Sequence, residues 1–180
     1  MSSIVDKIVT ISTSFRRHGV PHAFGGALAL AWCTEQARGT IDIDVNVFVE
    51  PTAADEVLEA LPAGIAWTPE QATELFRDGQ ARLWWATTPV DIFLNTTEFH
   101  AQAAVRARDH AFNGVNVPFL SCTDLAVFKA FFNRTRDWAD IEAMIEMQTL
   151  DVDRVIGVLT RYLGSDDARV ERFLKLVRSP

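Results

Sequence analysis

The sequence predicts a mixed α/β (α+β) region followed by an all-helical region, and three observations indicate this fold class. Up to about residue 121, short β-branched or aromatic segments alternate with segments whose apolar residues recur every three or four positions. An Asn-Gly pair at 113–114, between two such strands, is typical of a tight β-hairpin. Beyond that point four helical patterns follow one another. We therefore expect two domains, 1–121 and 122–180, packed into one unit.

The α/β region should begin with a helix, because Ile4, Ile8, Ile11 and Phe15 recur at helical spacing before Gly19. The segment 68–78 is ambiguous, since it has a helix start but is short. The remaining helices are expected at 27–35, 53–61, 97–107, 123–133, 136–148, 152–163 and 167–178. Strands are expected at 21–24, 40–49, 81–86, 90–95, 111–112 and 115–120, with a turn at 87–89 between the third and fourth.

Composition excludes several classes of protein. Hydrophobic residues make up 48% of the 180 residues, enough for a core, yet no apolar run approaches the ~20 residues that span a bilayer. The net charge of −7 argues against non-specific coating of nucleic acid. Cys33 and Cys122 lie far apart and are expected to be reduced thiols. With no secretory signal at the N-terminus, we expect a cytoplasmic protein with no membrane partner.

Residues 40–49 form a β-branched strand that carries two aspartates, Asp42 and Asp44. Because side chains alternate between the faces of a strand, both carboxylates should lie opposite the apolar residues. Two like charges this close repel unless a cation lies between them, which indicates a divalent metal site. The alternative is an amphipathic strand with one solvated face. The residues expected to face the core are Ile41, Ile43, Val45 and Val47.

A third carboxylate and a glycine pair extend this candidate site. Asp91 lies in a predicted strand, and it would face the same way as Asp42 and Asp44 if the two strands are neighbours. Gly25 and Gly26 precede a predicted helix, where a phosphate can approach the backbone and the helix N-terminus offers unpaired N–H groups. Carboxylates that hold Mg²⁺ opposite a phosphate-binding loop are a layout for phosphoryl transfer. A plain turn at the glycines is the alternative.

Two motifs in the chain are specific enough to compare with known families. The first is Gly25-Gly26, a helix, and then Arg38-Gly39-Thr40-Ile41-Asp42-Ile43-Asp44; the second is Lys129 with Arg136-Asp137-x-x-Asp140. Together with Asp91 they resemble the nucleotidyltransferase (DNA polymerase β-like) superfamily, and its minimal bacterial branch of AbiEii-type toxins in particular. Gly26 stands where many members have Ser. The resemblance covers residues 20–50 and 88–146.

The resemblance implies the nucleotidyltransferase fold, a small mixed sheet flanked by helices with a C-terminal helical bundle. It also implies a role for each motif residue. Two Mg²⁺ ions would be bound by Asp42, Asp44 and Asp91, of which Asp91 would also take the proton from the acceptor hydroxyl. The triphosphate of an NTP would be contacted by Gly25, Gly26 and Lys129, and Arg38 would brace the loop before the strand or touch phosphate.

The implied reaction transfers NMP from an NTP to a hydroxyl acceptor and releases pyrophosphate. The resemblance leaves the acceptor open. A toxin-like member would modify tRNA and have an antitoxin protein as partner, whereas other members modify a protein or an aminoglycoside-like small molecule. The acidic balance suits a cationic small molecule or a protein. The alternative function is a catalytically inactive member of the fold that binds a nucleotide or a partner protein.

Several other positions have two interpretations. Lys129 would point into a cleft or occupy an exposed helix position, and Asp137 and Asp140 would be motif residues or form ion pairs on the helix surface. Of Trp84 and Trp85, one should face the core and the other a cleft or the surface. His22 is expected to be a packed strand histidine. A solvated helix face is favoured over an RNA-facing stripe for Arg169, Arg172, Lys175 and Arg178.

Overall fold

A computed structural model describes residues 3–36 and 39–178, so Arg38 lies outside the described residues. Strands are interspersed with helices up to β7, and helices alone follow. In chain order the elements are α1 (Ile4–Arg17), β1 (His22–Phe24), α2 (Gly26–Thr34), β2 (Ile43–Val47), α3 (Ala54–Glu59), β3 (Ile65–Ala66), α4 (Pro69–Asp78), β4 (Gln80–Trp85), β5 (Thr88–Leu94), α5 (Glu98–Ala103), β6 (Arg108–Phe112), β7 (Val115–Phe119), α6 (Cys122–Phe132), α7 (Thr135–Glu146), α8 (Val152–Leu163) and α9 (Ala168–Arg178).

The strands form one mixed sheet in the order β3-β4-β5-β2-β1-β7-β6. β2 runs parallel to β5 and β1 runs parallel to β7, whereas the other neighbouring pairs are antiparallel. The mixed sheet with its helices confirms the predicted fold class. None of the described helices combines the length and the apolar character that a bilayer crossing requires.

β2 separates a buried face from a polar face. Ile43, Val45 and Val47 have no exposed surface, as their alternation predicts. Ile41, however, is 80% exposed, so the prediction that it faces the core is wrong. The strand begins only at Ile43, and the alternation that would turn residue 41 inward does not extend to it. Asp44 lies on the face opposite the core.

Side-chain caps explain where two helices begin. Ser3 and Asp6 form a reciprocal capping box at the start of α1. Thr68 and Gln71 form the same arrangement at the start of α4, which shows that the ambiguous segment 68–78 is a helix. Gly79 ends α4 in the left-handed region, with φ of +69°.

Two tight hairpins set the register of four strands. Asn113 and Gly114 both have positive φ, as the predicted type I′ turn between β6 and β7 requires. Between β4 and β5 the turn comprises Ala86 and Thr87, slightly earlier than predicted, because Trp85 pairs with Thr88. This earlier turn decides which side chains of β4 face those of β5.

The described residues divide into two compact units. The first lies within 1–28 and 39–120 and contains the sheet with α1, α3, α4 and α5. The second lies within 29–38 and 121–180 and contains α6 to α9 with the later part of α2. Buried side chains of the second unit include Leu125, Val127, Trp138, Ile141, Met144, Leu159 and Phe173.

Cys33 and Cys122 form a disulfide within the second unit, with Cα atoms 5.5 Å apart. That separation is normal for a disulfide. The expectation of two reduced thiols is therefore wrong. The two residues are 89 positions apart in sequence, and chain spacing alone does not reveal that the end of α2 meets the start of α6.

Candidate active site

The register of β2 and β5 places Asp44 directly beside Asp91. On the next strand, β4, the partner of Asp91 is Arg82. On the other side of β2, the Gly25 N–H donates a hydrogen bond of 2.9 Å to the Asp44 carbonyl oxygen. Partners in register share one face of a sheet. We call the surface defined by Arg82, Asp91 and Asp44 the carboxylate face.

Asp42 lies just before β2, and its charge acts on Arg82 together with those of Asp91 and Asp44. Its carboxylate accepts a hydrogen bond of 2.6 Å from the Thr40 hydroxyl. The pKa of the Arg82 guanidinium is raised above its ordinary value, first by hydrogen bonds to Asp91 and by the charge of Asp91, and further by the charges of Asp42 and Asp44. Arg82 therefore lies within the field of all three carboxylates.

The glycine pair is held against β2. A Cβ atom at Gly25 would lie 2.9 Å from Asn46 Nδ2. Gly26 opens α2 with φ of +54°, and a Cβ atom there would overlap Asp44 Oδ2 and lie 2.6 Å from Asp44 Cγ. A side chain at position 26 would therefore displace the Asp44 carboxylate. The Asp44 carboxylate lies against the N-terminus of α2, where the helix dipole favours an anion.

Arg82 binds Asp91 through two hydrogen bonds, although it belongs to none of the predicted motifs. Arg82 Nε lies 2.7 Å from Asp91 Oδ1, and Arg82 NH2 lies 2.7 Å from Asp91 Oδ2. The Arg82 side chain is 54% exposed and that of Asp91 only 14%. A sequence signal exists, because a turn at Ala86 and Thr87 pairs these two positions across the hairpin, and opposite charges there stabilise it.

The site fits a magnesium ion only in part. Carboxylate oxygens are ligands that Mg²⁺ prefers, and Asp44 and Asp91 share one face. However, Arg82 occupies both oxygens of Asp91. Within residues 3–36 and 39–178, no three or more acidic, His or Cys side chains are gathered into a group that could hold a metal ion. Binding of Mg²⁺ by Asp42, Asp44 and Asp91 therefore stays a prediction, and Asp91 is the one of the three that Arg82 holds.

Lys129 lies in the second unit and is only 6% exposed. Its Nζ donates a hydrogen bond of 2.7 Å to Asp140 Oδ2 and lies 3.6 Å from Asp137 Oδ1. Both aspartates are buried. The interpretation of a surface ion pair does not hold for Asp140, which pairs with Lys129. The exposed Arg134 is a second partner of Asp137, with Nε 2.8 Å from Oδ2. Binding of phosphate by Lys129 stays a prediction.

The paired tryptophans lie on opposite faces of β4. Trp84 is 44% exposed and lies on the carboxylate face, two residues along the strand from Arg82. Trp85 is half-buried, and its carbonyl oxygen accepts a hydrogen bond from Lys7 Nζ. His22 is buried, with Nε2 3.0 Å from Ser12 Oγ, as expected of a packed strand histidine.

Two of the basic residues on α9 have partners within their own unit. Arg169 pairs with Asp167, with NH2 2.9 Å from Oδ2. The Arg172 guanidinium carbon lies 4.7 Å from the centre of the Trp138 ring, a cation–π contact. The expectation that the stripe is a solvated helix face, and not a surface for RNA, stays a prediction.

The mixed sheet, the flanking helices and the helical second region define the nucleotidyltransferase fold. The structure is similar to "ANT(2″)-Ia in complex with adenylyl-2″-tobramycin", with a TM-score of 0.63, 14% identity, and coverage of 89% of this chain and 97% of that one.

Two further solved structures share the fold. An antigenic nucleotidyltransferase-like protein from Paracoccidioides brasiliensis has a TM-score of 0.52, 13% identity, and coverage of 93% of both chains. The lincosamide antibiotic adenylyltransferase LnuA, with lincomycin bound, has a TM-score of 0.52, 14% identity, and coverage of 79% of this chain and 96% of that one. No protein-family model and no curated protein sequence matches the chain. Identities this low establish the fold alone.

Proposed function

We propose that this protein is a Mg²⁺-dependent nucleotidyltransferase that transfers NMP from an NTP to a hydroxyl acceptor and releases pyrophosphate. The observation that carries the proposal is the row of Gly25, Asp44 and Asp91, with Gly26 opening a helix against the Asp44 carboxylate. A glycine turn at a helix N-terminus suits a phosphate, and adjacent carboxylates suit the ion that accompanies it. The fold shared with adenylyltransferases supports the same reaction.

Five of the predicted site residues, three aspartates and two glycines, have tasks in this reaction. Asp42 and Asp44 hold Mg²⁺, which when bound neutralises charge on the phosphates. Asp91 accepts the proton of the acceptor hydroxyl, whose oxygen bonds to the α-phosphorus as the bond to the leaving pyrophosphate breaks. Gly25 and Gly26 let the backbone approach the triphosphate closely.

Two basic residues complete the proposed contacts. Arg38 lies outside the described residues, and its role in bracing the loop before β2 or touching phosphate stays a prediction. Lys129 supplies a positive charge to a terminal phosphate, which requires its ammonium group to leave or share Asp140. Lys129 is buried beside Asp140, and its departure would leave that buried carboxylate without its cation, which is costly.

We further propose that the acceptor is a cationic small molecule. The net charge of −7 and the carboxylates beside the exposed Trp84 favour a positively charged, partly apolar ligand. Two proteins of the same fold are bound to adenylyl-2″-tobramycin and to lincomycin. A tRNA acceptor, with an antitoxin partner, and a protein acceptor are the other classes to test.

A second candidate function is a nucleotide-binding protein without catalysis. The observation that favours it is the Arg82–Asp91 pair, which occupies both oxygens of the carboxylate assigned as proton acceptor. Such a protein would bind ATP with Mg²⁺ and transfer nothing.

Label transfer distinguishes the candidates. The protein is incubated with each α-labelled NTP, Mg²⁺ and a panel of aminoglycosides, lincosamides, tRNA and proteins. Transfer should occur to one class and vanish in Asp42→Ala with Asp44→Ala, while Asp55→Ala with Glu56→Ala, on an exposed turn of α3, should leave it unchanged. Label transfer that persists in the first double variant refutes the site. ATP binding in calorimetry without label transfer favours the second candidate. If the protein neither binds ATP nor transfers label, both candidate functions are wrong.

A further inference from the structure

Arg82 and Asp91 form an ion pair between a half-exposed side chain and a mostly covered one. Arg82 is 54% exposed, whereas Asp91 is 14% exposed. The fork of the guanidinium matches both carboxylate oxygens at 2.7 Å. A carboxylate with this little exposed surface is destabilised when the cation that pairs with it leaves. Arg82 can therefore leave Asp91 readily only if another cation takes its place.

A nucleotide with its metal ion would give each member of the pair a new partner: a phosphate for Arg82 and a metal ion for Asp91. A guanidinium binds phosphate oxygens in the same two-pronged geometry in which it binds a carboxylate. The metal would at the same time replace the positive charge beside Asp91. Asp44, in register with Asp91 on the neighbouring strand, lies against the start of α2, where a triphosphate would bind.

We propose that Arg82 is a positioning residue that holds Asp91 away from metal in the free protein and transfers to a nucleotide phosphate when the metal–nucleotide complex enters. This inference rests on the proposed function and names a residue outside the predicted motifs. It gives a role to the pairing of Arg82 with Asp91, which lies within reach of the charges of Asp42 and Asp44.

The inference predicts opposite effects of one substitution on two ligands. Arg82→Gln frees Asp91, so Mn²⁺ measured by electron paramagnetic resonance without nucleotide should bind about fivefold more tightly, as expected for losing an ion pair of ordinary strength. The same variant loses a phosphate contact, so an ATP analogue with a methylene group between the α- and β-phosphates should bind about tenfold more weakly. Arg82→Lys should recover part of the nucleotide affinity.

The control variant is Arg77→Gln on α4, whose exposed guanidinium pairs with its neighbour Asp78 and should leave both affinities unchanged. The gain in Mn²⁺ affinity should disappear in Arg82→Gln with Asp91→Asn, because it acts through Asp91. A structural role alone would weaken both ligands together, and this result overturns the inference, as does unchanged Mn²⁺ binding.

The two proposals fail in different ways. If the native protein transfers label but Arg82→Gln behaves like Arg77→Gln, the inference about Arg82 is wrong and the proposed function stands. If the native protein binds neither Mn²⁺ nor nucleotide, both are wrong. If Arg82→Gln fails to fold, Arg82→Lys takes its place in the comparison. A nucleotide affinity between native and complete loss would support the inference, whereas native affinities for both Mn²⁺ and nucleotide would overturn it.

Discussion

Three glycines allow the contact between Gly26 and Asp44 to be tested by one kind of substitution. Gly26 combines φ of +54° with a Cβ position that overlaps the Asp44 carboxylate. Gly19 has φ of +70°, but nothing lies within 4 Å of its Cβ position. Gly157 lies on an exposed part of α8, with open space around its Cβ position and no positive φ. Replacement by Ala therefore separates backbone strain from steric overlap.

The expected changes in the free energy of unfolding differ in sign and size. Gly157→Ala should stabilise the protein by about 0.5–1 kcal/mol, because Ala is the better helix former. Gly19→Ala should destabilise it by about 1–2 kcal/mol, the penalty of a left-handed conformation. Gly26→Ala should destabilise it by about 2–5 kcal/mol, since about 1–3 kcal/mol of overpacking against Asp44 is added to that penalty.

Urea unfolding of the three variants measures these differences. Because the overlap involves the carboxylate, Gly26→Ala combined with Asp44→Ala should be less destabilised than the sum of the two single changes. The reasoning is refuted if Gly26→Ala is no worse than Gly19→Ala, or if the double variant is strictly additive.

Three other features carry predictions for stability. Burial lowers the pKa of His100 from 6.5 to about 4. Between pH 6.5 and pH 4, His100 is therefore protonated in the unfolded chain and neutral in the folded protein. The free energy of unfolding should fall by up to about 3 kcal/mol as the pH drops from 7 to 4. His100→Gln should flatten this decline, the exposed His18→Gln should not, and equal slopes in denaturation at several pH values would contradict the assignment. Replacing Cys33 and Cys122 by Ser should cost about 4–5 kcal/mol, from the chain entropy of an 89-residue loop; a urea midpoint insensitive to both the substitution and reductant argues against the disulfide. Lys129→Met should cost about 3–5 kcal/mol, because a buried carboxylate loses its hydrogen-bonded cation, and a loss below about 1 kcal/mol in the same measurement would show that the charge cluster is not buried.

Much of the fold could be predicted from the sequence, because the signals that begin and end helices and strands are local. The periodicity of α1 and the Asn113-Gly114 turn determined their elements with little ambiguity. Boundaries were harder: Ile41 fits the alternating pattern of β2 but precedes the strand. β3 has only Ile65 and Ala66, too few residues for a pattern to emerge.

The candidate site could be predicted only as far as its residues lie in motifs. Asp44 and Asp91 were expected to meet if their strands were neighbours, and the structure makes them partners in register. Arg82 belongs to no motif, and its role depends on where the hairpin turns. The pairing of Cys33 with Cys122 depends likewise on the fold, which no local pattern encodes.

The short connection between β4 and β5 offers a way to alter the protein without touching its acidic residues. A one-residue insertion there displaces β4 along β5 unless a bulge absorbs it. Arg82 would then point to the core side and Leu83 to solvent, while the β2–β5 ladder, which does not depend on that loop, keeps Asp91 in place. A designed loop variant that shifts β4 would therefore separate Arg82 from Asp91 without changing either side chain.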